Sequence, residues 1–198
     1  TYNNSLQSMR IEVPDANSPN GSYAGGVFFS KTGRNLSGFN ALTFYVKANQ
    51  AVNIGEIGFG NDLGANRFVV SISNLAVTAA WKKVIIPIPD PGKLTEEKGL
   101  LYFAAAPIND RGFTFWIDEV KFERLGTLLP VESSIMNGTN PSITTFIGVT
   151  STISGLTSTY NLPTGVNQSV NLSRAYFQFT SSNPAVATVD AGGVATSL

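Results

Sequence analysis

Ala41-Leu42-Thr43-Phe44-Tyr45-Val46-Lys47-Ala48 alternates without a break, with Leu42, Phe44 and Val46 on one face and Thr43, Tyr45 and Lys47 on the other. A period of two carried by β-branched and aromatic residues is the pattern of a strand with one buried face. The period recurs where Phe68, Val70 and Ile72 alternate with Arg67, Val69 and Ser71, and where Val84, Ile86 and Ile88 alternate with Lys83, Ile85 and Pro87. Phe113–Glu123 (FTFWIDEVKFE) starts apolar on both faces: Phe113, Phe115 and Ile117 point one way, Thr114, Trp116 and Asp118 the other. Beyond it Glu119, Lys121 and Glu123 charge one face while Val120 and Phe122 stay apolar. Turn signals separate these runs at Pro19-Asn20-Gly21, Ser37-Gly38, Asn61-Asp62-Leu63-Gly64, Asp90-Pro91-Gly92 and Asn109-Asp110-Arg111-Gly112. Only Lys93–Gly99 (KLTEEKG) looks helical, for about one turn, and no stretch sustains a 3.6-residue period. Short strands with frequent turns predict an all-β fold, a β-sandwich or jelly roll.

The chain has 198 residues, enough for one large domain or two small ones. It has no Cys and no His. That excludes a disulfide framework, thiolate nucleophiles, His-based triads and Cys or His metal ligands. Thirteen basic and thirteen acidic side chains balance, leaving no electrostatic case for nucleic acid or an anionic membrane. No apolar run approaches the roughly 20 residues that span a bilayer. No signal peptide is visible, and the chain reads as an excised piece of something larger.

Composition changes near residue 125. Residues 126–198 carry only three charged side chains (Glu132, Arg174 and Asp190) and 23 Ser and Thr. The break at Leu125-Gly126-Thr127 predicts two domains, 1–125 and 126–198. The second also reads as β, with short runs at Val170–Leu172, Tyr176–Phe179 and Ala187–Val189 and turns at Ser181–Pro184 and Ala191–Gly193.

Three segments carry a resemblance. Leu36-Ser37-Gly38-Phe39-Asn40-Ala41-Leu42-Thr43-Phe44-Tyr45-Val46-Lys47, Trp81-Lys82-Lys83-Val84-Ile85-Ile86-Pro87-Ile88 and Phe115-Trp116-Ile117-Asp118-Glu119-Val120 resemble, in order and spacing, strands of galactose-binding-like jelly-roll domains. Such domains serve as carbohydrate-binding modules in secreted bacterial polysaccharide-degrading enzymes, and also as spacers. Residues 179–190 (FTSSNPAVATVD) and Gly193-Val194-Ala195-Thr196 resemble a bacterial Ig-like domain of group 2. The usual Trp before Ser181 is missing there, with Tyr176 and Phe177 nearby. The resemblance implies a last strand beyond Leu198 and an opening jelly-roll strand before Tyr2. It further implies a structural calcium with Asp118 as ligand; the alternative is that Asp118 bonds neighbouring amides or a Lys. Trp81 matches a packing position.

A sugar site needs an aromatic platform and planar polar side chains. The candidates are Tyr23, Tyr45, Asn61, Asp62, Arg67 and Arg111, with Phe29, Phe59, Asn66 and Asp110 behind them. Phe29, Phe59 and Trp116 also read as core, Asn61-Asp62 as a turn pair, and Arg67 as a surface ion pair. Catalysis is disfavoured. Glu96 and Glu97 are adjacent in sequence, and Glu119 and Glu123 lie ~13 Å apart on a strand, too far for a glycosidase pair. The expectation is a non-catalytic polysaccharide-binding module with an Ig-like spacer, without membrane insertion, in a larger extracellular bacterial protein such as a glycoside hydrolase. The alternative is a stalk or adhesin with no glycan of its own.

Overall fold

The computed structural model describes Thr1–Leu198. Eight strands fill residues 9–123: β1 Met9–Val13, β2 Ala24–Arg34, β3 Ala41–Ala48, β4 Val52–Phe59, β5 Val70–Val77, β6 Lys82–Pro87, β7 Glu97–Ala105 and β8 Phe113–Glu123. They divide between two antiparallel sheets in the orders β1-β8-β3-β6 and β2-β7-β4-β5, the interleaving of a jelly roll. Alternation drives the division. Leu42, Phe44 and Val46 are fully buried between the sheets, facing Ile57, Phe59 and Val70, while Tyr45 and Lys47 point outward half-exposed. Glu119 breaks the alternation in β8: it sits at φ +48° where the pairing with β3 slips between Thr43 and Tyr45. This bulge lets Phe122 pack inward against Phe39 and Phe59 although Phe115 and Ile117 occupy the other parity.

β1, the Met9–Val13 run, pairs with β8 at the edge of the four-stranded sheet. Two expectations need correction. Lys93–Gly99 is not helical; a 3-10 turn covers Pro91–Lys93, capped by the Asp90 carboxylate on Gly92 N–H, and Glu97 begins β7. Trp116 lies on an outer face, half-exposed, not in the core.

The second segment forms β9 Pro130–Ser134, β10 Thr150–Thr152, β11 Thr157–Asn161, β12 Asn167–Leu172, β13 Ala187–Val189 and β14 Val194–Ser197. β10, β14 and β13 make a three-stranded sheet, whereas β12, β11 and β9 continue the second jelly-roll sheet past β5 to seven strands. The joint is short, Asn171 opposite Ser71 and Leu172 opposite Val70. Around it Ser173 N–H donates to the Val69 carbonyl (2.9 Å), Ser173 Oγ to that of Arg67 (2.6 Å) and Lys93 Nζ to that of Ala175 (2.6 Å). Tyr160, Leu162, Val170 and Leu172 belong to the same 31-residue core as Phe44 and Phe59. The break in composition near residue 125 is therefore not a break in packing.

Candidate functional site

The outer face of the seven-stranded sheet is floored by small residues. Pairings Val27–Tyr102, Tyr102–Gly58, Gly58–Ser71 and Ser71–Asn171 place one row of residues across β2, β7, β4, β5 and β12. The neighbouring row runs Gly25, Ala104, Glu56 and Ser73. Both rows point away from the core because Phe103, Ile57, Val70 and Ile72, of opposite parity, are buried in it. Glycines here mark close approach: a Cβ on Gly25 would lie 2.6 Å from the Tyr23 ring, and one on Gly58 would collide with the Val70 carbonyl. The result is a trough of about 400 Å³ with Tyr23 at one end and the Asn61–Leu63 loop at the other.

Its chemistry is mixed. The Tyr23 ring is 59% exposed. Tyr102 Oη donates to Glu56 Oε1 (2.8 Å), and burial pushes the phenol pKa up, so the ring stays a neutral donor. Asn171 Nδ2 donates to Ser73 Oγ (2.7 Å). Ser71 Oγ is buried without a hydrogen-bond partner, the sole such side-chain oxygen in the structure. An exposed aromatic beside closely set hydroxyl, amide and carboxylate groups matches the apolar faces and hydroxyl rim of a sugar ring.

The outer face of the four-stranded sheet holds more aromatic surface, but it is already engaged. Tyr2 stacks on Tyr45 (centroids 3.5 Å apart, planes 16°) and meets Trp81 edge-on at 5.9 Å. Lys47 Nζ lies 5.0 Å from the Trp81 ring and 5.2 Å from that of Trp116. Such cation–aromatic contacts hold both rings in place and cover them. Beneath Tyr2, the Asp118 carboxylate accepts from Tyr2 N–H (2.7 Å), Ser5 Oγ (2.7 Å) and Glu119 N–H (2.8 Å). Burial raises its pKa, but these three bonds outweigh burial and hold it below the usual carboxylate value. Calcium needs six to eight oxygens around it. Here two N–H donors aim at the single carboxylate and no cluster of three acidic groups forms, so the donor set as arranged does not fit that ion.

The six foremost sugar candidates do not converge. Tyr23 and Asn61 border the trough. Tyr45 lies on the opposite face of the sandwich under Tyr2. Asn61 and Asp62 also work as turn formers: Asn61 Oδ1 accepts from Leu63 N–H (3.1 Å), and Asp62 Oδ1 from Gly64 and Asn66 N–H (both 3.0 Å). The bond from Asn66 chiefly holds the Asp62 pKa down against burial. Arg67 forms no ion pair; its guanidinium lies 5.0 Å over the Phe68 ring beside the junction with the second segment. Arg111 sits with Asp110 in the β7–β8 turn, at the far end of the sandwich from Arg67. Phe59 is core as read, whereas Phe29 is 46% exposed. Sequence reasoning missed Gly25, Glu56 and Tyr102. The available signal was Gly25-Gly26 opening an apolar run, and Gly55 and Gly58 within the run Val52–Phe59.

Solved structures that this chain matches include the family 30 carbohydrate-binding module of a cellulosomal cellulase of Clostridium thermocellum, at 20% identity and a TM-score of 0.47, covering 63% of this chain and 78% of that one. A second family 30 module matches at 20% identity and a TM-score of 0.45, over 67% of this chain and 75% of its own. A family 11 module from Clostridium thermocellum, in complex with a β-1,3-1,4-mixed-linked tetrasaccharide, matches at 15% and 0.38, over 61% and 85%. No protein with a curated description matches. The model of carbohydrate binding domain 30 matches residues 1–124, the whole eight-stranded jelly roll, and the chain belongs to that family of carbohydrate-binding modules.

Proposed function

We propose that this chain binds an uncharged polysaccharide, without cleaving it, in the trough on the outer face of the seven-stranded sheet. The observation that carries the reading is the trough itself: a channel with Gly25 and Gly26 beside the exposed Tyr23 ring at its end and Glu56, Asn61 and Tyr102 along it. Tyr23 supplies a stacking face, and the polar row supplies hydrogen bonds to hydroxyls. Glu56 disfavours an anionic sugar there. Residues 126–198 act as an Ig-like spacer, a reading supported by six strands grouped three and three. The parent protein is extracellular, and the module raises the effective concentration of its partner domains on polymeric substrate.

Affinity electrophoresis through gels containing soluble neutral polysaccharides tests this. At least one polymer should retard the protein, and Tyr23→Ala should restore mobility. Tyr45→Ala and Arg111→Ala should leave retardation intact, since neither faces the trough. Absence of retardation by every neutral polymer would favour the stalk alternative.

A further inference from the structure

Between the jelly roll and the second segment lies a cleft of about 840 Å³, larger than the trough. Two arginines line it, Arg67 from the β4–β5 loop and Arg174 from the turn after β12. Arg174 is the single cation of residues 126–198. Neither arginine pairs with a carboxylate: the ion pairs of the molecule are Arg10–Glu12, Lys83–Glu123 and Lys121 with Glu119 and Glu123. No Asp or Glu lines the cleft itself; Arg67, with its guanidinium over Phe68, also borders the adjoining pocket, where Asp62, Glu96 and Glu97 are balanced by Lys93 and Lys98. Asp190, next to its Ala191-Gly192 wall, turns Oδ1 to Val194 N–H (2.9 Å). Phe177 adds an apolar ring, half-exposed, and Asn66, Asn171 and Ser173 add polar groups. Asn66 Oδ1 accepts from Asp62 N–H (2.9 Å), which leaves the side-chain amide nitrogen as the group it can offer a ligand.

We infer that this junction cleft is a second glycan site, selective for sugars bearing a carboxylate, that is, a uronic acid segment. Arginine recognises a carboxylate through two parallel N–H bonds, which a point-charge lysine does not reproduce. A carboxylate alone would need only the guanidiniums. The adjoining aromatic ring and amides fit the rest of a pyranose. The cleft exists only because β12 docks on β5, which gives the second segment a binding role in addition to spacing. The inference rests on the reading of this chain as a glycan binder, but it uses different residues from the trough.

The test is affinity electrophoresis and titration calorimetry of the full chain with polygalacturonate and alginate. Fully methyl-esterified polygalacturonate and dextran sulfate serve as controls. The carboxylated polymers should bind, the ester should not, and added salt should weaken binding. Arg67→Gln and Arg174→Gln should each reduce affinity by about tenfold, with unchanged melting temperature because both side chains are exposed. Equal binding of dextran sulfate would mean non-specific polyanion attraction and would overturn the proposal. So would binding of the ester, or indifference to both substitutions. Neutral-polymer binding sensitive to Tyr23→Ala reports on the trough alone, so the two readings fail separately.

Discussion

Leu172→Ala tests whether the two segments fold as one body. Leu172 is 8% exposed, pairs with Val70 across the joint and donates its N–H to the Leu156 carbonyl (3.0 Å). Removing three buried carbons costs the transfer free energy of the methyl groups plus a cavity term, about 2–5 kcal/mol for a core leucine. Leu172 sits at the rim of the core rather than its centre, so about 3 kcal/mol is the working figure. For a cooperative unit of this size each kcal/mol moves the melting temperature about 2–4 °C, which gives a drop of about 6–12 °C. The assay has a built-in localisation, because both tryptophans, Trp81 and Trp116, lie in residues 1–125 while Leu172 does not. They also lie on the outer face of the other sheet, out of contact with the mutated side chain. Tryptophan fluorescence should therefore report the full drop if the shared core couples the segments. A fluorescence transition at the wild-type temperature, with a separate earlier transition in circular dichroism, would refute the coupling.

Gly58→Ala should destabilise by about 1–3 kcal/mol, seen as a lower urea midpoint, because its Cβ would collide with the Val70 carbonyl and push β4 off β5. Asp118→Asn should flatten the acid limb of the stability curve. The Asp118 carboxyl is held below its ordinary value, so its contribution is complete above about pH 4, the unfolded value, and disappears as pH falls through the folded one. Chelator should leave the wild-type melt unchanged, and a fall in melting temperature on chelation would restore a calcium role for Asp118. Glu97→Gln should have the opposite sign. Burial raises the Glu97 pKa, so stability is lost as pH rises from the unfolded value through the folded one. Glutamine keeps the acceptor for Gly99 N–H (2.7 Å) without the buried charge. The variant should melt higher than wild type at pH 7, and the two should converge near pH 4.

The strands legible in the sequence were those whose alternation is strict. β3 and the first half of β8 alternate most clearly between buried and outward-facing residues, at Phe44–Ala48 and Phe113–Ile117, so period two survives in their residues. β2 and β7 did not stand out, because their outward positions are Gly25, Val27, Tyr102 and Ala104, small or apolar like their inward ones. A strand whose outer face lines a channel gives up the polar half of the pattern, and the periodic signal fades where binding is possible. The docking of β12 on β5 was illegible for a different reason. It rests on two residue pairs and a set of backbone hydrogen bonds, and main-chain contacts leave no trace in residue identity.

The same physics explains why the site candidates scattered. Searching for aromatic and planar polar residues finds Tyr45 and misses Gly25, yet Tyr45 is covered by Tyr2 and Gly25 borders the trough beside the Tyr23 ring. On the four-stranded face, aromatic rings are abundant because they stack on one another and on Lys47, which stabilises the sheet surface but leaves little ring area free. On the seven-stranded face the exposed Tyr23 ring is available because its neighbour Gly25 has no side chain to occupy the space beside it. A Gly25→Val variant should therefore displace the Tyr23 ring and abolish polysaccharide retardation while leaving the Tyr2–Tyr45–Trp81 cluster intact. Unchanged retardation in that variant, with unchanged tryptophan fluorescence, would move the binding surface away from the trough.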